Sequence, residues 1–386
     1  MSIRICHFST VHSGVEIRIV RKELASLARA GYEAWLVIPG TAADVEEAAR
    51  LGIRMIALSE PSQGQRLRRA TTLAARAFRL VRDTGAQIVH FHDPELIPVG
   101  LALKAIGRHV IMDSHEDLKN QILYKYWIRP SIRKTIAAIA RRAELFAARR
   151  FDGIVGALPY HEQIFGRDAR RLAIVRNFPL DGELDGADAE GDWSSRTHVA
   201  YVGSISRVRG IFELVHALPR AGTRLLLAGR FSSRAERDEV VEDPGWSMVD
   251  ELGYVDRVGI RDALHRSFAG ICTLYPIPNH VHSEPIKLFE YMAAGIPVVI
   301  SSTVPGWRQV VEDSRCGLCV DPKDPVAVAE AIRHLREHPD EAQRMGRNGR
   351  AAALAAYSWS AQAKGLVALY QSILPAALPA GQGAQV

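Results

Sequence analysis

The sequence predicts an α/β protein built from two doubly wound parallel-sheet domains that face each other across a cleft, on three observations. The chain has 386 residues, more than one hydrophobic core normally organises. Short apolar runs alternate with helical patterns along both halves of the chain. An acidic, glycine-containing stretch interrupts this alternation, so we expect a linker at residues 181–196 between domains at 1–180 and 197–359.

In the first predicted domain, the apolar runs are rich in Val, Ile and Phe, which is typical of strands buried on both faces. The predicted strands are Ile3–Phe8, Ala34–Ile38, Ile53–Ala57, Ile88–Phe91, Val110–Met112, Gly153–Gly156 and Ala173–Val175. Apolar residues recur at the helical spacing between them. The predicted helices are Arg18–Ala30, Ala42–Leu51, Gln65–Asp83, Pro94–Ile106 and a long stretch through about Ser131–Arg150.

The same alternation returns after the linker. The predicted strands are His198–Gly203, Arg224–Ala228, Met248–Leu252, Gly270–Leu274, Val298–Ser301 and Gly317–Val320. Predicted helices follow them, among them Ile211–Leu218, Arg257–Ser267, Ile286–Ala294 and Pro325–Glu337. We expect a last helix at about 360–373 to pack back on the first domain, and the Pro-, Gly- and Gln-containing tail 374–386 to be disordered.

Composition excludes several classes of protein. The chain is 47% hydrophobic and 24% charged, as globular proteins are, and no apolar stretch reaches the about 18 residues of a transmembrane helix. Polar and charged residues stand where a secretory signal would need an apolar stretch. The four cysteines are too scattered for a disulfide framework or a zinc site. We therefore expect a cytoplasmic protein.

The segment from His282 to Ile300 is the most informative for function. Pro285 suits the first position of a helix, and Gly295 followed by Pro297 ends that helix. The backbone N–H groups around Ile286, Lys287 and Leu288 then form an anion site that suits a diphosphate, and Lys287 adds a charge. Glu290, one turn further on, could accept hydrogen bonds from ribose hydroxyls. Without other support, a plain helix start would explain the segment equally well.

The run Pro285-Ile-Lys-Leu-Phe-Glu-Tyr-Met-Ala-Ala-Gly295 resembles the nucleotide-sugar-binding motif of retaining glycosyltransferases of family 4, which have the GT-B fold of two Rossmann-like domains. The similarity is greatest to a bacterial surface-polysaccharide branch. The family motif is Glu-x7-Glu. Glu290 occupies its second position and His282 replaces the first Glu, so either His282 or Glu284 contacts the donor sugar in its place.

A second stretch, Tyr201 to Gly210, resembles the family's pyrophosphate-binding loop. Gly203 matches its glycine and Arg209 its later lysine, whereas Ser204 replaces the usual arginine and Arg207 could supply that charge. Leu226–Gly229 resembles a strand whose end lines the nucleobase pocket. The resemblance implies donor binding by Gly203, Ser204, Arg207, Arg209, Gly229, His282, Glu284, Ile286, Lys287, Leu288 and Glu290.

In the first domain, three loops at strand carboxyl ends carry candidates for the acceptor side of the site. His115 follows the predicted strand Val110–Met112, and the family commonly has a His there, beside the transferred sugar. A solvent-exposed His in an acidic loop is the alternative explanation. The acceptor-side candidates on the other two loops are His12, Glu16, Arg18, His92 and Asp93.

The resemblance implies transfer of a sugar from a nucleoside diphosphate sugar with retention at the anomeric carbon. His115, Glu290 and Arg209 are then the expected catalytic residues. The pyrophosphate must leave as an anion, and Arg209, Lys287 and the helix N-terminus would stabilise it as a metal ion does elsewhere. No Asp-x-Asp motif is present, so we expect no metal and no cofactor.

Charge divides unevenly between the two halves. Residues 1–180 contain 28 Lys and Arg against 17 Asp and Glu, whereas residues 181–386 contain 21 against 26. Residues 125–150 combine eight cations with aromatic and Ile side chains, which favours either contact with an anionic membrane surface or a helix with a solvated basic face. The first alternative implies a glycan or polyprenyl-diphosphate-linked acceptor and peripheral association with the inner face of the cytoplasmic membrane. No RNA- or DNA-binding motif accompanies the charge, so nucleic acid is not an expected partner.

Two other functions are consistent with the same fold. A nucleotide-sugar 2-epimerase also cleaves a glycosyl–diphosphate bond, and a catalytically degenerate nucleotide-sugar-binding scaffold would tolerate His282 and Ser204. An oxidoreductase is not expected, because no Gly-x-Gly-x-x-Gly sequence follows the first strand.

Overall fold

The computed structural model describes residues 2–59, 66–124, 128–184 and 193–374. The chain divides into two compact units, which we call the first and second domains. The first comprises Met1–Asn177 with Trp359–Val386, and the second comprises Phe178–Ser358. Within the described ranges, no helix has both the length and the apolar character needed to cross a bilayer.

The first domain contains a seven-stranded parallel sheet in the order β3-β2-β1-β4-β5-β6-β7. Its strands are β1 (Arg4–Phe8), β2 (Glu33–Pro39), β3 (Arg54–Leu58), β4 (Ile88–Phe91), β5 (His109–Ser114), β6 (Gly153–Gly156) and β7 (Leu172–Ile174). Phe8, Phe91 and Phe151 are fully buried and pack together on one face of the sheet. The chain reverses its direction of sheet growth between β3 and β4, so the carboxyl ends of β1 and β4 form a switch point where ligands bind in such sheets.

Helices connect these strands. A π-helical segment, Ile17–Leu24, leads directly into the first α-helix, and a 3₁₀ turn, Pro94–Leu96, precedes the fourth. The α-helices are α1 (Ala25–Arg29), α2 (Ala42–Arg50), α3 (Arg66–Asp83), α4 (Ile97–Ala105), α5 (Leu118–Tyr124), α6 (Pro130–Ala148) and α7 (Tyr160–Phe165). Long π-helical segments are rare and often occur at functional sites. This one buries Arg18, Lys22 and Glu23.

The second domain contains a six-stranded parallel sheet in the order β10-β9-β8-β11-β12-β13. Its strands are β8 (His198–Val202), β9 (Arg224–Ala228), β10 (Val249–Gly253), β11 (Ser267–Cys272), β12 (Val298–Ser301) and β13 (Gly317–Val320). Its helices are α8 (Ile211–Ala221), α9 (Arg234–Val240), α10 (Arg257–His265), α11 (Pro278–Val281), α12 (Ile286–Ala293), α13 (Pro305–Ser314), α14 (Pro325–Glu337) and α15 (Pro339–Ala356).

The last described helix, α16 (Trp359–Ile373), belongs to the first domain although the second domain precedes it in the chain. The Trp359 indole Nε1 donates to Ser26 Oγ at 2.9 Å, and the Gln362 side chain accepts from the backbone N–H of Arg176 at 3.0 Å. Tyr370 is fully buried. These contacts anchor α16 against the π-helical segment, α1 and the end of β7.

The predicted α/β fold is confirmed, and each predicted strand agrees with an observed strand to within three residues at either end. The helices α5 and α7 were not predicted, because seven and six residues are too few for helical periodicity to be read. Residues 181–184, assigned to the linker by sequence, fold with the second domain instead, since Leu184 lies 1% exposed in its core. Residues 193–196 of the predicted linker also fold with the second domain, where Trp193–Ser195 forms a 3₁₀ turn and Trp193 packs against the core. Residues 185–192 of the predicted linker and 375–386 of the predicted tail lie outside the described residues.

Candidate functional site

Two glycines bring the loops after β8 and β9 into direct contact in the second domain. Gly203 has a φ of +105° and Gly229 a φ of +152°. A Cβ atom on Gly229 would lie only 1.8 Å from the carbonyl oxygen of Gly203, so no side chain fits there. Ser204, next in the chain, is exposed, and its carbonyl oxygen accepts a hydrogen bond from the Tyr201 hydroxyl at 3.0 Å. The backbone conformation of the two glycines therefore sets the shape of the loop, and the Ser204 side chain is exposed to solvent.

The two arginines of this loop have different surroundings. The Arg207 guanidinium pairs with Glu239 and lies 3.6 Å from the Phe212 ring centroid, so its charge is already compensated on the α8–α9 side. Arg209 has no carboxylate partner within the described chain, and its charge acts on Lys287. The Arg207 guanidinium, expected from the sequence to replace the missing cation, is thus paired with Glu239, whereas the charge of Arg209 acts on Lys287.

Lys287 is a buried lysine in the second domain. It is 6% exposed, its Nζ lies 3.4 Å from the Tyr201 ring centroid, and this amine has no hydrogen-bond partner in the described chain. Burial, together with the charge of Arg209, lowers its pKa from 10.5 to about 7. Its Cε lies close to Gly203, since a Cβ atom on that glycine would be 3.9 Å from it. A buried amine of this kind, between a glycine loop and an arginine, suits an anionic ligand.

The helix α12 that carries Lys287 is held in place at both ends. The Tyr291 hydroxyl accepts from the Val202 backbone N–H at 3.1 Å and donates to the Ile271 carbonyl at 3.3 Å. The Trp307 indole N–H donates to the Ser283 carbonyl oxygen at 2.6 Å, which fixes the loop before the helix. Gly295 ends the helix with a φ of +72°, as predicted.

The start of α12 differs in detail from the sequence prediction. Pro285 is the residue before the first helical position, not the first position itself, with a ψ of 111°. The first turn is tight, and the Leu288 N–H donates to the Pro285 carbonyl at 2.9 Å. At most the N–H groups of Ile286 and Lys287 are therefore left for a ligand. His282 is exposed and Glu284 is half-buried on the loop that leads into this turn.

Glu290 faces an arginine that sequence reasoning did not identify. Its Oε1 accepts from Arg257 Nη1 at 2.6 Å, and Arg257 also makes two hydrogen bonds of 2.8 Å to Glu183. Glu290 is 8% exposed, so this contact fixes the direction of its carboxylate. No local pattern marks Arg257 or Glu183, because the pairing joins residues that are distant in the chain.

In the first domain, the three predicted loops meet at the carboxyl ends of β1, β4 and β5. His115 Nε2 lies 3.2 Å from Asp113 Oδ2 and 3.3 Å from His92 Nδ1. The ring centroid of His12 lies 5.2 Å from that of His115. Burial opposes ionisation of Asp113, but Arg18 and the neighbouring histidines outweigh it and hold the pKa of this carboxyl well below its usual range. The carboxylate can therefore orient the His115 ring.

The other predicted acceptor-side residues support the loops from within. Glu16 caps the π-helical segment by accepting from the Ile19 N–H at 2.7 Å. Arg18 is buried, donates to Asp113, and donates to the Val175 carbonyl at 3.0 Å. Asp93 is buried as well, and accepts hydrogen bonds from residues 9–11. Among the predicted residues of this domain, Arg18, His92 and Asp93 are buried, whereas His12, Glu16 and His115 are partly exposed.

Sequence reasoning missed the buried partners of these residues. His7 and His90 lie inside strands whose apolar pattern concealed them, Glu23 lies in the π-helical segment, and Tyr370 comes from α16. The parallel pairing of β1 with β4 places His7 directly opposite His90. A polar residue at a buried strand position was the one available signal for both histidines.

Two families of known domains match most of the chain. Residues 14–177 match the glycosyl transferase 4-like domain, and residues 190–352 match the glycosyl transferases group 1 family. D-rhamnosyltransferase WbpZ of Pseudomonas aeruginosa is 28% identical over 295 residues, which cover 73% of each chain. A glycogen synthase of Mycobacterium tuberculosis is 24% identical over 217 residues, 54% of this chain and 50% of that protein, so this chain matches about half the length of that relative.

Solved structures share the fold. Anabaena Alr3699/HepE in complex with UDP has a TM-score of 0.70 at 16% identity, and the match covers 96% of this chain and 100% of that one. The same protein in complex with UDP-glucose has a TM-score of 0.69. At this level of identity the likeness concerns the fold, and it agrees with the two parallel sheets described above.

Proposed function

We propose that this chain, whose two domains belong to the glycosyl transferase 4-like and group 1 glycosyl transferase families of the GT-B fold, moves a sugar from a nucleoside diphosphate sugar to a glycan or lipid-linked acceptor. The observation that carries the proposal is the buried amine of Lys287, which has no hydrogen-bond partner in the described chain, lies close to Gly203 and is influenced by the charge of Arg209. The likeness to a protein solved with UDP and UDP-glucose supports the same class of donor.

In the proposed reaction, the second domain stabilises the leaving group. The bond between the anomeric carbon and the diphosphate oxygen breaks, and a bond from that carbon to an acceptor hydroxyl oxygen forms. The acceptor proton passes to the departing diphosphate. Arg209, Lys287 and the start of α12 offset the negative charge that develops on that diphosphate, which is the largest electrostatic demand of the step.

The anomeric configuration is retained in this proposal, through attack of the acceptor on the same face that the diphosphate leaves. No covalent enzyme intermediate is needed, and catalysis needs no metal ion. Glu290, held by Arg257 at 2.6 Å, accepts hydrogen bonds from donor hydroxyls through its remaining oxygen. His115, oriented by Asp113, contacts the transferred sugar.

Two measurements test the donor. A thermal-shift series with UDP, GDP, ADP and dTDP should reveal one nucleotide that raises the melting temperature, because a ligand that binds the folded state stabilises it by mass action. Arg209→Ala and Glu290→Ala should remove that shift and the transfer activity. Normal activity in both variants would show that the site lies elsewhere.

Product analysis separates the proposed reaction from its alternatives. A transferase consumes the sugar nucleotide only with an acceptor and gives a product with the donor's anomeric configuration, which NMR reports. A 2-epimerase converts the sugar nucleotide without any acceptor. Donor binding with no turnover in the presence of membrane and glycan extracts would indicate a binding scaffold.

The proposed acceptor is lipid-linked because of an exposed apolar face on α6. Four large apolar side chains on this helix are 37–59% exposed: Ile132, Ile136, Ile139 and Phe146. Arg129, Arg142 and Arg150 flank them without carboxylate partners in the described chain, whereas Arg141 and Arg149 are paired internally with Glu144 and Asp168. Residues 125–127 of the predicted basic segment lie outside the described residues. We propose that this face rests on an anionic membrane surface.

Vesicle flotation tests the membrane contact. The protein should float with vesicles that contain phosphatidylglycerol and not with pure phosphatidylcholine. Ile139→Glu should abolish flotation, and Leu354→Glu on α15, whose side chain is equally exposed at 58% against 59%, is the matched control. Equal binding to both kinds of vesicle, or no effect of Ile139→Glu, would favour the alternative of a solvated basic helix.

A further inference from the structure

Sheet register gathers three imidazoles inside the first domain. His7 in β1 lies opposite His90 in β4, and His92 follows two residues after His90 on the same face. The π-helical segment brings Glu23 to them. All four side chains are completely buried. Buried groups of this kind need partners, so their mutual arrangement calls for a physical explanation.

The four side chains converge on one point. His7 Nδ1 lies 3.0 Å from His92 Nε2 and 3.8 Å from Glu23 Oε2. One ligand atom from each of the four residues lies within 4.8 Å of all the others. His90 Nε2 and Glu23 Oε2 are buried and have no hydrogen-bond partner in the described chain. Two unpartnered polar atoms thus point into the same small volume as two further imidazole nitrogens.

The outer nitrogens of the three rings are held by two groups, the Tyr370 hydroxyl and the Asp113 carboxylate. The Tyr370 hydroxyl lies 2.8 Å from His7 Nε2 and 2.9 Å from His90 Nδ1, and Asp113 Oδ2 lies 3.2 Å from His92 Nδ1. A carboxylate or hydroxyl on the outer ring nitrogen fixes the tautomer whose lone pair points inward, which is the usual support around metal-binding histidines.

The two carboxylate oxygens of Glu23 face different groups. Arg18 Nε lies 3.0 Å from Oε1 of Glu23 and leaves Oε2 facing the rings.

We propose that His7, Glu23, His90 and His92 bind a divalent transition-metal ion, with zinc the first candidate. Three imidazole nitrogens and one carboxylate oxygen suit Zn²⁺ better than Mg²⁺ or Ca²⁺, which prefer oxygen ligands. Four protein ligands without solvent access make a closed, structural site and leave no position for a substrate. The ion ties β1, β4 and the π-helical segment together and, through Tyr370, α16. It takes no part in the transfer chemistry proposed above.

Metal analysis of the full-length chain, purified without chelator and with any histidine tag removed, tests the site. We expect one equivalent of zinc per chain. His90→Asn and Glu23→Gln should each lose the ion, whereas His161→Asn, which alters another fully buried histidine of the same domain, should retain it. Protein that contains no metal and whose melting temperature does not respond to added Zn²⁺ or Co²⁺ would overturn the proposal, as would unchanged metal content in His90→Asn.

Tyr370→Phe addresses the possibility that ligand variants fail to fold. This variant keeps the aromatic ring and removes the hydroxyl that supports His7 and His90, so metal affinity should fall by about 10- to 100-fold in competition with a chelating dye. Cobalt-loaded wild-type protein should show the visible absorption of a four-coordinate site. An octahedral spectrum, or an affinity that Tyr370→Phe leaves unchanged, would contradict the site.

Discussion

Replacing Lys287 by methionine should stabilise the ligand-free protein near pH 6 and weaken its binding of nucleoside diphosphates. The Lys287 amine is buried against the Tyr201 ring without a hydrogen-bond partner in the described chain. Methionine keeps a side chain of similar length and apolar character and removes the charge. The same substitution therefore removes a buried charge that destabilises the folded state. It also removes the amine that we propose binds the diphosphate.

The magnitude follows from the pKa. Burial, together with the charge of Arg209, lowers the pKa of Lys287 from 10.5 to about 7. At 1.36 kcal/mol for each pKa unit, the protonated amine destabilises the folded state by up to about 5 kcal/mol. The unfolded chain releases this proton only near pH 10.5, so wild-type stability rises as the pH increases from about 7 to 10.5. The free energy of unfolding of Lys287→Met should therefore exceed that of wild type by the full amount below pH 7, and the difference should disappear above pH 10.5.

Urea unfolding at pH 6 and at pH 10 measures the first effect, and calorimetric titration with the nucleotide that the thermal-shift series identifies measures the second. A hydrogen bond from a charged group contributes about 1.5–3 kcal/mol, so affinity should fall by about 10- to 150-fold. Lys364→Met, at an exposed position of α16, is the control and should change neither quantity. A variant that is less stable than wild type at pH 6, or that binds the nucleotide normally, would refute the reasoning.

Three further predictions concern the same domain. Nucleotide binding at pH 8 should take up about one proton, because an anion beside Lys287 raises the pKa of that amine from about 7. Calorimetric titrations in buffers of different ionisation enthalpy should detect this uptake in wild type and not in Lys287→Met. Arg257→Gln should raise the donor KM and lower the free energy of unfolding by about 1–3 kcal/mol, because two carboxylates lose their partner, whereas Glu183→Gln should act more weakly on KM in steady-state assays. Gly229→Ala should remove nucleotide binding in the thermal-shift assay because its Cβ meets the Gly203 carbonyl, whereas Gly253→Ala, with open space around it, should cost about 1–2 kcal/mol and leave binding intact.

Local signals in the sequence were sufficient to predict α12, the helix that carries Lys287 and Glu290. Pro285, Gly295 and Pro297 restrict their own backbone dihedrals, so they predicted the bounds of α12 to within one residue. The parallel strands were predictable for a similar reason, since each apolar run is buried on both faces of its sheet. The glycine loop at Gly203 likewise follows from a backbone conformation that few other residues adopt.

Pairings between distant residues could not be predicted. Arg257 and Glu290 are 33 positions apart, and His7 and Tyr370 are 363 apart, so no local pattern links them. Arg207 looked equivalent to Arg209 in sequence because they lie two residues apart, yet Glu239 on α9 attracts one guanidinium and not the other. Side chains of this kind are positioned by elements that the sequence alone does not bring together.

The return of α16 to the first domain has a consequence for synthesis of the chain on the ribosome. The residues that complete the first domain, Trp359 and Tyr370, are made after the whole of Phe178–Ser358. The first domain therefore lacks the Tyr370 contact to His7 and His90 while the second domain is synthesised and folds. A chain that stops short of α16 leaves the rings of His7 and His90 without the Tyr370 hydroxyl, so we expect such an incomplete product to be less stable and to be degraded faster than the full chain.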